Sequence, residues 1–80
     1  MYKNIVIDDV DIDKEFSENL GKIMDAKGIT AKVLSLSTGI HVSSIYMYRE
    51  GHIMPTLFNI YKLVKALGVS ISDLCPSLTK

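Results

Sequence analysis

Eighty residues set a ceiling of one domain, and a chain of this size buries only about 60% of the surface its unfolded form exposes. Hydrophobic residues make up 48% and charged residues 22% at zero net charge, which excludes a disordered tail and predicts a globular body with apolar surface to spare. The single cysteine, Cys75, excludes an internal disulfide, and the early apolar run Ile5-Val6-Ile7 is too short for a signal peptide or a membrane span, so a reducing cytoplasm is the expected compartment.

In chain order, residues 1–12 read as an N-terminal arm. They are β-branched and partly alternating, as an extended segment or strand would be. The arm is acidic: residues 1–15 hold two bases and five acids, a net of −3. Residues 16–80 hold seven bases and four acids, a net of +3, so the body is mildly basic, which is compatible with a nucleic-acid partner.

Residues 13–80 form the expected helical body. The first helix is predicted over Lys14–Lys27, capped by Asp13, with Phe16, Leu20, Ile23 and Met24 on one face and Gly21 as a weak point. The second runs from Ala31 to about Thr38, capped by Thr30, with Val33 and Leu34 inward. The third spans about Val42–Glu50, with Ile45 and Tyr48 on a shared face and Ile40 covering the same core. The fourth follows Pro55, with Thr56 as its cap and Leu57, Ile60, Val64 and Leu67 as its inward stripe. Ser70 and Asp73 make a capping-box pattern for a short fifth helix that Pro76 stops. Gly28, Gly39, Gly51 and Gly68 each close an apolar-periodic stretch.

The second and third helices meet the demands of a helix-turn-helix. A small residue, Ser35, stands where the third helix must cross. Gly39 tolerates the turn, Ile40 is apolar just after it, and Leu34, Ile45 and Tyr48 face inward. With TGI at 38–40, SSIY at 43–46, Gly51 followed by Pro55, and KALGVS at 65–70, residues 16–75 resemble the Cro/CI-type (XRE-like) helix-turn-helix domains of phage and bacterial repressors. The resemblance implies an all-α, five-helix fold and a third helix that enters the DNA major groove.

The resemblance also implies site residues. The outward face of the third helix is Val42, Ser43, Ser44, Tyr46 and Met47, the positions that would meet bases. Thr30 and Lys32 open the second helix, whose free N–H groups suit a phosphate. His41, Arg49, His52 and Thr56 are the further expected backbone contacts. The sequence departs from the family at Ala31, often glutamine, and at Met47, often arginine. Arg49-Glu50 also reverses the usual acid-then-base order, and no lysine or arginine lies between Val42 and Tyr48.

Enzyme chemistry finds no spacing to work with. The two histidines stand 11 apart without zinc ligands, no G-x-S-x-G elbow occurs, and DDVDID lacks the glycine and closing glutamate of a calcium loop. No cofactor or metal is expected. The expected protein is a DNA-binding transcriptional regulator, a repressor on a palindromic operator. Its partners are double-stranded DNA and a second copy, the two arms pairing as strands, with no membrane. The alternative is a protein-interaction module, an antirepressor, antitoxin or adaptor, that turns the same helical face to a protein partner. The uncharged, tyrosine- and methionine-bearing third helix favours that alternative.

Overall fold

A computed structural model describes residues 11–79. Five α-helices follow one another: α1 (Ile12–Lys27), α2 (Ala31–Thr38), α3 (Val42–Glu50), α4 (Leu57–Leu67) and α5 (Ile71–Leu74). A 3₁₀ turn, Pro76–Thr79, ends the described chain, and no strand occurs among the described residues. The arm expected at residues 1–12 lies, up to residue 10, outside them.

Local chemistry sets the helix ends. Thr30 and Thr56 accept from the N–H groups of Val33 and Asn59, each at 3.2 Å, as expected for N-caps. At α5 the Asp73 carboxylate accepts from the Ser70 N–H at 2.9 Å, one half of the expected capping box. The first helix departs from expectation. It starts at Ile12 rather than Lys14, and Asp11 rather than Asp13 caps it by accepting from the Lys14 N–H at 3.0 Å. The earlier cap brings Ile12 into the helix, where it packs against the core; Asp13 is left exposed in the first turn.

The core gathers one face from each helix. Phe16, Leu20 and Met24 of α1 meet Leu34 of α2, Ile45 and Tyr48 of α3, Leu63 and Leu67 of α4, and Leu74. α1 packs on α3 and α5, and α2 on α3 and α4. Two of the expected inward residues face out. Val33 is 51% exposed because the buried line on α2 is Ala31 and Leu34, which turns its neighbour to solvent. Leu57 is 82% exposed because the buried line on α4 is Ile60, Leu63 and Leu67, with Val64 packed at its edge, which turns the first turn of the helix outward.

Polar ties fix the helices to each other. The Asn59 amide donates to the Tyr48 hydroxyl at 3.1 Å, joining α4 to α3, and Tyr48 meets Phe16 edge-on with ring centroids 6.5 Å apart. The Asn19 amide donates to the Leu74 carbonyl at 2.9 Å, and the Ser77 N–H donates to Glu15, so α1 clasps the end of the chain.

Candidate nucleic-acid interface

The geometry of the site begins at the turn between α2 and α3. Gly39 has φ +78°, the left-handed conformation that a side chain disfavours. The Gly39 N–H donates to the Ser35 carbonyl at 2.8 Å, and the Ser35 hydroxyl donates to the Ile40 carbonyl. Thr38 accepts from the Ile40 N–H at 3.1 Å while donating to the Leu34 carbonyl at 2.8 Å. Three small polar side chains or backbone groups thus fasten the corner. The small residue demanded at 35 has a second task, as a hydrogen-bond donor across the turn.

From that corner α3 leaves with its inner side fixed and its outer side open. Ile45 and Tyr48 are buried, whereas Ser43, Tyr46 and Met47 are exposed. Val42 and Ser44 are half-buried, and Val42 packs against the core. The open part of the expected reading face is therefore narrower than the sequence implied. It consists of a hydroxyl, a phenol and a thioether, with no charge.

His41 occupies the N-cap position of α3. Its Nδ1 accepts from the Ser43 N–H at 3.2 Å and lies 2.7 Å from the Ser43 hydroxyl. An imidazole nitrogen that accepts a backbone N–H carries no proton itself. The Nδ1 edge of the His41 ring thus faces the first turn of α3, with both the Ser43 N–H and the Ser43 hydroxyl beside it.

Arg49 is engaged within the fold, and the other basic side chains of the expected site lie at the surface. Arg49 crosses from α3 to α1 and donates to the Asp25 carboxylate at 3.1 Å. Its guanidinium lies over Gly21, 3.4 Å from where a Cβ would stand. His52 Nε2 is 3.3 Å from the Glu50 carboxylate on the surface. Lys32 is exposed one residue inside α2.

Thr30, Tyr46 and Arg49 come together. With Asp25 and Ala31 they line one groove where the end of α1, the start of α2 and the outer side of α3 converge. Lys32, His52 and Thr56 do not line it. Sequence reasoning missed Asp25 and Gly21, whose link to Arg49 spans 24 residues or more and carries no local signal. It also missed the capping role of His41, a residue type outside the usual cap set.

The family model described as helix-turn-helix matches residues 20–74. No curated protein matches the chain. Among solved structures, the restriction-modification controller protein C.AhdI from Aeromonas hydrophila is similar, with a TM-score of 0.71 and 28% identity. The likeness covers 75% of this chain and 91% of that one. No described helix is long and apolar enough to cross a membrane. The matched span runs from Leu20 in α1 through the whole of α2, α3 and α4 to Leu74 at the end of α5, and the corner, caps and inner faces above are its physical content. The chain therefore belongs to the Cro/CI-type helix-turn-helix family of DNA-binding transcription regulators.

Proposed function

We propose that the protein is a sequence-specific repressor that binds a palindromic operator as a homodimer, with α3 in the major groove. The observation that carries this reading is the division of α3: Ile45 and Tyr48 lock it to the core while Ser43, Tyr46 and Met47 stay open. Repression needs only occupancy of a site that polymerase must use. A DNA target and a lone reduced thiol fit the cytoplasm.

The affinity would come from phosphates and the choice of sequence from bases. Amides opening α2 and α4, beside Thr30 and Thr56, suit phosphate oxygens, and Lys32, Arg49, His41 and His52 add donors or charge. Ser43, Ser44, Tyr46 and Met47, with Val42 behind them, would read base edges through hydrogen bonds and contact with thymine methyls. Few neutralised phosphates give a shallow salt slope, about −2 to −5 for a dimer. Without a bidentate arginine on guanine the site leans to A·T. Two half-sites would lie about 34 Å apart on one face of the duplex.

Selection of bound sequences from a random DNA pool tests this directly. On the selected operator and on random DNA, Tyr46→Ala should narrow the gap between the two, and Lys32→Ala should weaken both alike. A second reading, an antirepressor, antitoxin or adaptor, draws on the neutral face of Tyr46 and Met47 and on Asp25 holding Arg49. It takes over if no DNA sequence is enriched at low salt.

A further inference from the structure

We infer that Ser35 and Thr38, neither of them on the exposed face of α3, are positioning residues that set the angle of the reading helix and thereby its choice of sequence. The inference rests on the DNA-binding reading above and adds to it the residues that aim α3. Both backbone polar groups of Ile40 are held by side chains of α2. The Ser35 hydroxyl donates to the Ile40 carbonyl, and the Thr38 hydroxyl accepts from the Ile40 N–H at 3.1 Å. Thr38 is itself tied back, since its hydroxyl donates to the Leu34 carbonyl at 2.8 Å. One residue on, the His41 carbonyl accepts from the N–H groups of Ser44 and Ile45, at 3.0 and 3.3 Å, and these bonds open α3. Ile40 thus stands just before the helix, and two hydroxyls of α2 fix its direction.

Three observations make these bonds a matter of aim as well as of stability. The first is leverage. Met47 lies six residues beyond His41, about 9 Å along a helix that rises about 1.5 Å per residue. A turn of about 6° at Ile40 moves it by about 1 Å, whereas a good N–H···O bond spans a range only about 0.5 Å wide. The second is the kind of force. Ile45 and Tyr48 seat α3 by burial, which has no direction, while hydrogen bonds weaken steeply off line. The third is placement. Ser35 and Thr38 stand on the eight-residue helix that Thr30 caps and Lys32 helps to open, both expected phosphate contacts. One short helix therefore joins the expected backbone anchor to the aim of α3. Ser37, on the same helix, is exposed and its hydroxyl donates to the Val33 carbonyl within α2, which makes it a matched control.

Full-chain variants Ser35→Ala, Thr38→Val, Thr38→Ser and Ser37→Ala separate aim from stability. Without DNA, residual dipolar couplings of the α2 and α3 amides should show α3 turned by at least about 6° in Ser35→Ala and Thr38→Val. The same couplings in Thr38→Ser, which keeps the hydroxyl, and in Ser37→Ala should match the parent. On the selected operator and on random DNA, Ser35→Ala and Thr38→Val should lower the ratio of the two affinities at least about tenfold. Their binding to random DNA should stay within about twofold of the parent. Thr38→Ser and Ser37→Ala should keep the parent's ratio. A role in stability alone would weaken both DNAs alike as the folded fraction fell. Ser35→Ala decides the matter even if Thr38→Val fails to fold, because alanine is the better helix former. The inference is overturned if Ser35→Ala keeps the parent's angle, if it keeps the parent's ratio, or if Ser37→Ala changes either. If no operator is enriched, the DNA reading falls alone, and a turned α3 in Ser35→Ala still upholds the positioning.

Discussion

Asp25→Asn tests whether Arg49 reaches a phosphate. The Arg49 guanidinium donates to the Asp25 carboxylate at 3.1 Å, and the side chains are 30% and 73% exposed. A pair this open contributes at most about 1 kcal/mol, so the fold should hold and the melting temperature should fall by no more than about 4–8 °C. The effect on DNA should be larger in kind. The substitution removes an anion from the groove shared with Thr30 and Tyr46 and releases a cation beside it. One added phosphate contact per protomer steepens the salt slope by about 0.9, or about 1.8 for a dimer. Between 50 and 200 mM salt the variant should then lose roughly tenfold more affinity than the parent, and it should bind more tightly than the parent at the low end. Fluorescence anisotropy on the selected operator over a salt series measures this. An unchanged slope would show that Arg49 is a fastener between α1 and α3 and nothing more. A steeper slope that survives the added Arg49→Ala change would assign the effect to Asp25 alone.

Other substitutions probe the body. Ile45→Ala, at a fully buried site on α3, should cost about 2–5 kcal/mol in urea melts, against a total of roughly 4–12 kcal/mol for 80 residues; a loss under about 1 kcal/mol would refute the packing. Gly51→Ala should destabilise by about 1–2 kcal/mol, because φ is +78° and the new Cβ would stand 3.3 Å from the Ser17 hydroxyl. Gly21→Ala meets only the movable end of Arg49 and should gain about 0.5–1 kcal/mol; thermal melts with the same sign for both glycines would count against this account. Burial first, and then the Glu15 charge, push the Cys75 thiol above its ordinary value. The folded state therefore keeps a proton the unfolded state loses, so this contribution to stability is full below about pH 8.5 and disappears as pH rises through the raised value. Native Cys75 should react with iodoacetamide at least about tenfold more slowly than in urea, and equal rates would refute its protection.

The elements were legible because their punctuation is local. Thr30, Thr56, Ser70 with Asp73, and the Gly39 turn each declare a helix end within a few residues of sequence. Inner faces followed where periodicity left one choice, as with Phe16, Leu20 and Met24. They failed where two adjacent apolar residues competed. Val33 beside Leu34 differs by one step around the helix, and only the position of the neighbouring helix decides between them; Leu63, one step from Val64, joins the core beside it. Leu57 failed for another reason: an apolar residue in a first helical turn can serve an outer face as well as an inner one. For the candidate site residues, the sequence carries no sign of their partners within the fold. Nothing near Arg49 in sequence announces Asp25, and nothing near His41 announces that its ring would close the end of α3.

The division of α3 bears on how such a protein can change its target over time. Ser43, Tyr46 and Met47 are exposed, while the side chains of α3 that pack into the core are others. Surface substitutions away from packing usually move stability by less than about 0.5 kcal/mol, and effects at separate sites tend to add. A lineage can therefore try new side chains at these three positions one at a time without passing through an unfolded ancestor. Ile45 and Tyr48 allow no such drift, since both are buried in the core and Tyr48 also meets Phe16 of α1 and accepts from Asn59 of α4. Two copies descended from one gene could then come to prefer different operators while their cores stayed the same.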